Sequence, residues 1–401
     1  MKRPETLPAV ENYDYYNGDH WPHWIGPKVP DKDPRAKELM SEVERVFQSI
    51  NLIRECCDRH VAALIGKFPV WYIKGADGKR IPTKNEQGEA LDTPAARAEI
   101  DLQRWLDAVM QRSDAGVTAQ GDPFWQAVTD LSVVGNASLR LWQPSRFAED
   151  PDPIKRIHLH SPKLGSVSVK RGDDEFVDEI SYSYGAGYQE VETMDGDTLT
   201  VTTKKGGAAE GEPIEIDTGG RWTIAVMRSP SLLTPQIRQN QDAINHAATM
   251  LLRNQEQAGF LERIFLNAQP PGKWVKDETA LEGERFEPDE EGLAHGPGQD
   301  VFLMGVPTGD RSNPSYSNAG VAFRDPVNPA TFLDSIRGFR GYVYHAFGQG
   351  HLLIEGDGSM SGVSRIQLRQ DFEVILTRQK RVIEAAIASI LNIVLRILEY
   401  T

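Results

Sequence analysis

The chain has 401 residues, 44 Lys and Arg against 58 Asp and Glu, and a formal net charge of −14. That length points to two or three domains, and an apolar share of 39% is enough to pack real cores. A balance this acidic excludes a protein that grips nucleic acid through a broad basic surface.

Cys56 and Cys57 are the only cysteines and are adjacent. No disulfide framework is expected, and a reducing compartment is. The opening MKRPETLPAVENYDYY lacks the apolar core of a signal peptide. The most apolar run, Ala385–Leu398, is interrupted by Asn392 and Arg396 and falls short of the roughly 20 residues a membrane span needs. A soluble intracellular protein is the expectation.

Taken in order, residues 1–33 are rich in proline, glycine and aromatics and read as an extended arm. Tyr13, Tyr15, Tyr16, Trp21 and Trp24 are its anchors, packed on its own subunit or reaching a partner. Pro34–Ile65 reads as one helix with Leu39, Val43, Val46, Phe47, Ile50, Ile53 and Cys57 on a face. Val70–Ile73 is a short strand before a GADGKR turn. Thr93 caps a helix that Pro94 opens and that runs to about Arg112. Phe124–Val134 is a further helix, and Asn136 leads into a strand over ASLRLWQP.

From about Lys155 to Val226 the pattern changes to period two, with glycine turns at 172, 185, 196 and 206–207. This predicts an antiparallel β subdomain inserted among helices. Pro235 to about Gly259 is helical again, with small residues at Ala243, Ala247 and Ala248. The stretch from Pro270 to Pro329 is proline- and glycine-rich and long for a loop, so it reads as a small module. Its ordered pieces are GKWVKD, GERFEP and DVFLMGV. No internal repeat is apparent.

Beyond it, Phe332, Ile336, Phe339, Val343 and Phe347 share one helical face. A glycine-rich break, Gly348–Gly362, follows. The last helix, from about Val363 to Tyr400, would be roughly 55 Å long at about 1.5 Å per residue.

Catalytic signatures are missing. The 348–362 segment is followed by no GK[ST], so it is no phosphate loop. His158 and His160 alternate on a strand and share a side, and His20 and His23 lie in the arm. Neither pair has a carboxylate or cysteine at a metal spacing, so neither is read as a ligand pair. Asp289, Glu290 and Glu291 read as a solvated acidic turn. No GxSxG occurs. No enzymatic activity, cofactor or metal is expected.

The order of these pieces is more specific than any one of them. YYNGDH near the start, TPQIRQNQDAINHAATMLL, and SGVSRIQLRQDFE at the head of the last helix occur in the order seen in one family. From about Tyr13 to Tyr400 the chain resembles the portal protein (head-to-tail connector) of tailed bacteriophages.

The resemblance implies an α+β fold. Its parts would be an N-terminal arm (1–33), a helix-rich wing (34–234) carrying an antiparallel β insertion (155–228), a stem helix (235–259) and a small α/β clip (260–330). A second stem helix (331–347), a tunnel loop (348–362) and a long C-terminal wing helix (363–401) would complete it, with the crown absent or truncated. It also implies a homo-oligomeric ring of about twelve subunits at one capsid vertex, with double-stranded DNA passing through it during packaging and ejection. Implied partners are the terminase, the major capsid protein and a head-tail adaptor, with no membrane. The implied location is the virion, and the host cytoplasm during assembly.

On that reading His351, Glu355, Asp357, Ser359, Met360 and Ser361 of the tunnel loop face DNA. Arg238, Arg253, Arg337 and Arg340 are candidate stem contacts to phosphate, unless each pairs with a carboxylate on the next subunit. Trp274, Phe286 and Phe302 of the clip are candidates for docking partners. No lysine or arginine falls between Gly348 and Gly362. Six to ten retained phosphate contacts would change affinity by roughly 10³–10⁵ between low and moderate salt, so a loop without cations can touch cargo without holding it. The alternatives are another ring-forming phage head or baseplate protein, or, less favoured, a hydrolase using the β-rich region.

Overall fold

A computed structural model of the chain describes residues 7–18, 50–66, 71–114, 122–143, 150–258, 262–269, 272–276, 284–288, 304–305, 317–318, 320–324, 327–353 and 362–399. Helix and sheet are mixed. The chain divides into two compact units: Met1–Trp21, Ile50–Gln241 and Arg340–Thr401 form one, and Pro22–Ser49 with Asp242–Phe339 form the other.

The first unit opens with helix α1 (Leu7–Asn17), where an extended arm is expected. Pro8 sits in its first turn, where a missing N–H costs nothing. Gly18, at φ +82°, ends it in the left-handed region. Asn12 donates to the Val133 carbonyl at 2.8 Å, so this segment is a strap on its own subunit. Trp21 and Trp24 lie outside the described residues.

Helix α2 (Leu52–Ile65) starts later than the periodicity implies. Asn51 interrupts, because its side chain accepts from Arg54 N at 3.0 Å and donates to the Tyr16 carbonyl at 2.8 Å. Residues 34–49 lie outside the described residues. In place of the expected strand, Trp71–Ala90 form two successive small hairpins with one design. The bridge Lys74–Arg80 is matched ten residues on by Lys84–Ala90. Gly75 N to Lys79 O is matched by Asn85 N to Glu89 O, both 2.9 Å. The geometry repeats, but of the residues only Lys74/Lys84 and Gly78/Gly88 recur, which hides the repeat from the sequence.

Helices α3 (Pro94–Asp114) and α4 (Pro123–Val133) follow as expected. Thr93 accepts from Ala96 N at 3.2 Å, and Asp122 accepts from Phe124 N at 2.9 Å. Strand β1 (Asn136–Trp142) is the centre of an antiparallel three-stranded sheet. The short helix α5 (Pro153–Arg156) leads to its neighbour β2 (His158–His160), and the other neighbour is β9 (Ile224–Arg228). The first and last runs of the period-two region therefore pair with β1 rather than with the insertion.

The insertion itself is a six-stranded antiparallel sheet. It comprises β3 (Val167–Arg171), β4 (Val177–Gly185), β5 (Tyr188–Asp195), β6 (Thr198–Lys205), β7 (Ala208–Ala209) and β8 (Ile214–Asp217), with both β7 and β8 on β6. Gly206 and Gly207 turn the β6–β7 hairpin at φ +59° and +89°, a pair that glycine alone takes freely.

The two faces of β1 divide its work. Ala137, Leu139 and Leu141 enter a core with Leu102, Trp105 and Val109 of α3 and with Phe124, Val128 and Leu131 of α4. The last long helix, α8 (Gly362–Ile397), adds Ile383, Ile387, Ile390 and Val394 to that core. Trp105 donates from Nε1 to the Ile157 carbonyl at 3.1 Å. The opposite face of β1 turns Arg140 toward the carboxylates of β5.

In the second unit, most of helix α6 (Pro235–Ala258) precedes three two-stranded antiparallel pairs. These are β10 (Glu262–Leu266) with β15 (Gly320–Arg324), β11 (Ala268–Gln269) with β14 (Met304–Gly305), and β12 (Gly272–Lys276) with β13 (Glu284–Pro288). The strands at GKWVKD and GERFEP were legible. β15 was not, and only Met304–Gly305 of DVFLMGV is described as strand. Helix α7 (Pro329–Ala346) closes the module. Asn254 fastens the two helices' ends, donating to the Val327 carbonyl at 2.8 Å and accepting from Val327 N at 3.0 Å.

Candidate functional site

The break between α7 and α8 is a fixed corner where it is described. Gly348 adopts φ +67°, and a Cβ there would meet the Phe372 Cα at 2.9 Å. Gln349 N bonds to the Tyr344 carbonyl at 2.7 Å, and its buried side-chain amide donates to the Cys56 carbonyl at 2.8 Å. A 3-10 turn, Gly350–Leu353, follows. His351 is half-buried, with its ring 6.1 Å from that of Phe372. It belongs to this corner rather than projecting as a free loop residue. Glu355, Asp357, Ser359, Met360 and Ser361 lie outside the described residues.

Below the corner α8 is held by polar contacts. Gln379, buried, meets His60 Nε2 through its Oε1 at 2.8 Å, and burial lowers the pKa of that histidine. The exposed stretch is upstream: Arg369–Asp371, Glu373 and Val374 face solvent, and Val374 is 70% exposed.

The four candidate arginines have different surroundings. Arg238 is committed: it pairs with Glu11 Oε2 at 2.7 Å, donates to Asn12 Oδ1 at 3.1 Å and lies over the Tyr15 ring. The carboxylate partner of Arg238 comes from the α1 strap of the same chain rather than from a neighbouring subunit. Arg253 is half-buried on α6. Arg337 has Asp334 one turn away at 3.3 Å, both heavily exposed, a pairing worth little in water. Arg340 is exposed and donates to the Tyr344 hydroxyl at 3.1 Å. Trp274 and Phe286 are cross-strand partners in the β12–β13 hairpin, and Phe302 lies outside the described residues.

A polar cluster that the sequence reading passed over joins the two sheets of the first unit. Arg140 donates through Nε and Nη2 to Glu192 Oε1 at 3.1 and 2.7 Å, and through Nη1 to Glu190 Oε2 at 2.7 Å and to the Tyr184 hydroxyl. Its guanidinium lies 3.4 Å from the Tyr182 ring centroid. The Tyr182 and Thr223 hydroxyls donate to Glu192, and Trp142 Nε1 donates to Glu190. Burial disfavours the Arg140 charge, yet Glu192 and its neighbours outweigh burial and raise its pKa.

His160 stands beside this cation, and burial first and then the Arg140 charge push its pKa down to about 3. It is therefore neutral at physiological pH. His158 and His160 are core histidines packed against Trp142. An adjoining cavity of about 20 Å³ has room for roughly one water. The sequence offers only an arginine alternating with the apolar residues of β1 and two glutamates alternating on β5, with nothing that pairs them.

A more open cleft of about 580 Å³ is lined by Tyr13, Tyr16, Trp125, Gln126, Thr129, Lys163 and the carboxylates Asp122 and Asp130. Both carboxylates are engaged. Asp122 caps α4, and Asp130 accepts from the Tyr13 hydroxyl. Burial pushes the Asp130 carboxyl up to about 6 against the lowering effect of that bond.

Cys56 and Cys57 are free and buried; burial raises the Cys56 thiol to about 12 and Cys57 upward as well, so both are inert. Among the described residues no group of three or more His, Cys, Asp or Glu is placed to hold a metal ion, and no helix is long and apolar enough to cross a membrane. No protein-family model matches the chain, and no curated protein matches it.

Proposed function

We propose that the chain is a structural subunit of a ring-shaped channel for double-stranded DNA, a portal or head-to-tail connector of the tailed-bacteriophage type. The observation that carries the reading is the sequence of elements from α6 to α8. A helix, a β module fastened at Asn254, a second helix, a tight glycine corner and a helix of 36 residues follow one another.

Among the described residues of α8, those that enter the core of its unit lie in its second half. Its first half presents Val374 to solvent, and Tyr342 on α7 is 62% exposed. Bare apolar side chains on helices of this length suit a neighbour in a ring, which needs heterologous contacts between unlike faces. The glycine-rich segment after α7 would be the loop facing the channel, and Arg253, Arg337 and Arg340 remain the stem cations open to phosphate. Terminase, capsid protein and adaptor would be the partners, with the ATP-driven motor a separate protein.

The hydrolase alternative draws no support from the Tyr13–Asp130 cleft, whose two carboxylates already serve a helix cap and a tyrosine. Deleting Leu352–Met360 tests the loop assignment. Rings should still form while packaging or DNA retention fails. Rings and packaging both unchanged would refute it.

A further inference from the structure

In a chain with more acids than bases, Tyr72–Lys84 runs the other way: Lys74, Lys79, Arg80 and Lys84 against Asp77 alone. This stretch is the first of the two small hairpins and the start of the second. All four cations are exposed. Among the described residues none of the four has a carboxylate partner. Asp77 is occupied within the turn, where it accepts from Lys79 N at 3.0 Å.

The hairpin also gathers its charges. The Lys74–Arg80 bridge sets two cations opposite each other. Lys74 Nζ lies 5.5 Å and Arg80 Cζ 5.6 Å from the centroid of the Tyr72 ring, itself 49% exposed. Attraction to the ring face offsets part of the repulsion between them. Lys84 holds in the second hairpin the place Lys74 holds in the first. Glu86 and Glu89 share the second hairpin with Lys84, so the excess of positive charge is centred on the first hairpin, and the acidic charge farther off is largely screened beyond about 10 Å at 0.1 M salt.

We propose that this basic hairpin binds the phosphate backbone of nucleic acid, without reading sequence. Flexible lysine stems and a two-cation fork suit phosphate oxygens, and no rigid element enters a groove to read base edges. The Tyr72 ring is taken up by its own cations, so contact is through the backbone rather than by base stacking. The inference stands apart from the ring reading: particle mass tests the ring, and the binding below tests the hairpin.

The test is fluorescence anisotropy of the full chain with a labelled duplex DNA at 50–200 mM salt. Four phosphate contacts predict a slope of log K against log salt of about −3.6, so affinity falls roughly 150-fold over that range. Lys79→Ala should make the slope shallower by about 1. Lys74→Glu with Arg80→Glu should abolish the binding while leaving the circular dichroism spectrum unchanged. Polyglutamate at equal charge should not displace the duplex. No binding at 50 mM salt, wild-type affinity in the double variant, or displacement by polyglutamate would each overturn the proposal, the last by pointing to an acidic protein partner.

Discussion

Arg140→Met tests the clamp between the two sheets. Arg140 is 1% exposed and Glu192 is fully buried at 0%. Removing the guanidinium leaves Glu192 with two hydroxyl donors and Glu190 with Trp142 and Tyr184. Breaking a buried pair from one side costs about 3–5 kcal/mol, and losing the cation from the Tyr182 ring places this variant at the upper end.

Glu192→Leu leaves Arg140 still bonded to Glu190, so its cost falls near the lower end, about 3 kcal/mol. The double variant strands less charge than Arg140→Met, because the more deeply buried carboxylate is gone. Its cost should fall short of the sum of the singles by at least about 2 kcal/mol. Urea denaturation at neutral pH, followed by tryptophan fluorescence, measures all three, with buried Trp105 as reporter. A cost under about 1 kcal/mol for Arg140→Met, or additivity within about 0.5 kcal/mol, would refute the reasoning.

Three further outcomes are expected. Gly348→Ala must place a Cβ 2.9–3.0 Å from the backbone of Phe372 at φ +67°; strain and overpacking together should cost about 2–4 kcal/mol, visible as a lower thermal midpoint. Asn254→Ala removes both bonds to Val327, and amide exchange at Val327 should speed up as the helix ends part, with about 1–3 kcal/mol lost. Asp130, raised to about 6, binds its proton more tightly folded than unfolded. Its support for folding is present at low pH and is lost as pH rises through 6. Between pH 5 and 7 the loss amounts to about 1.3 kcal/mol, and the Asp130→Asn variant should lack that part of the pH dependence in urea titrations.

What was legible was what local chemistry dictates. Thr93-Pro94 and Asp122-Pro123 announce their helices because cap and first turn lie side by side. Helices α6 and α8 are evident in the sequence pattern, and the glycine turns at 172, 185, 196 and 206–207 mark the hairpins of the insertion. Helix α1 was missed because the prolines, glycines and tryptophans after Asn17 dominate the composition of its neighbourhood. The late start of α2 depends on Asn51 choosing a cap and the Tyr16 carbonyl over continued helix, a tertiary preference. Arg238 looked like a free cation until α1 brought Glu11 to it from far along the chain. The Arg140–Glu192 clamp needs the register of two sheets at once, and no spacing in the sequence encodes that.

The most direct test of the central claim is the mass of the purified particle, read together with end-on electron-microscope images. The account predicts a ring of about a dozen subunits around a central hole. A strict monomer at high concentration, with capsid partners present, would contradict it.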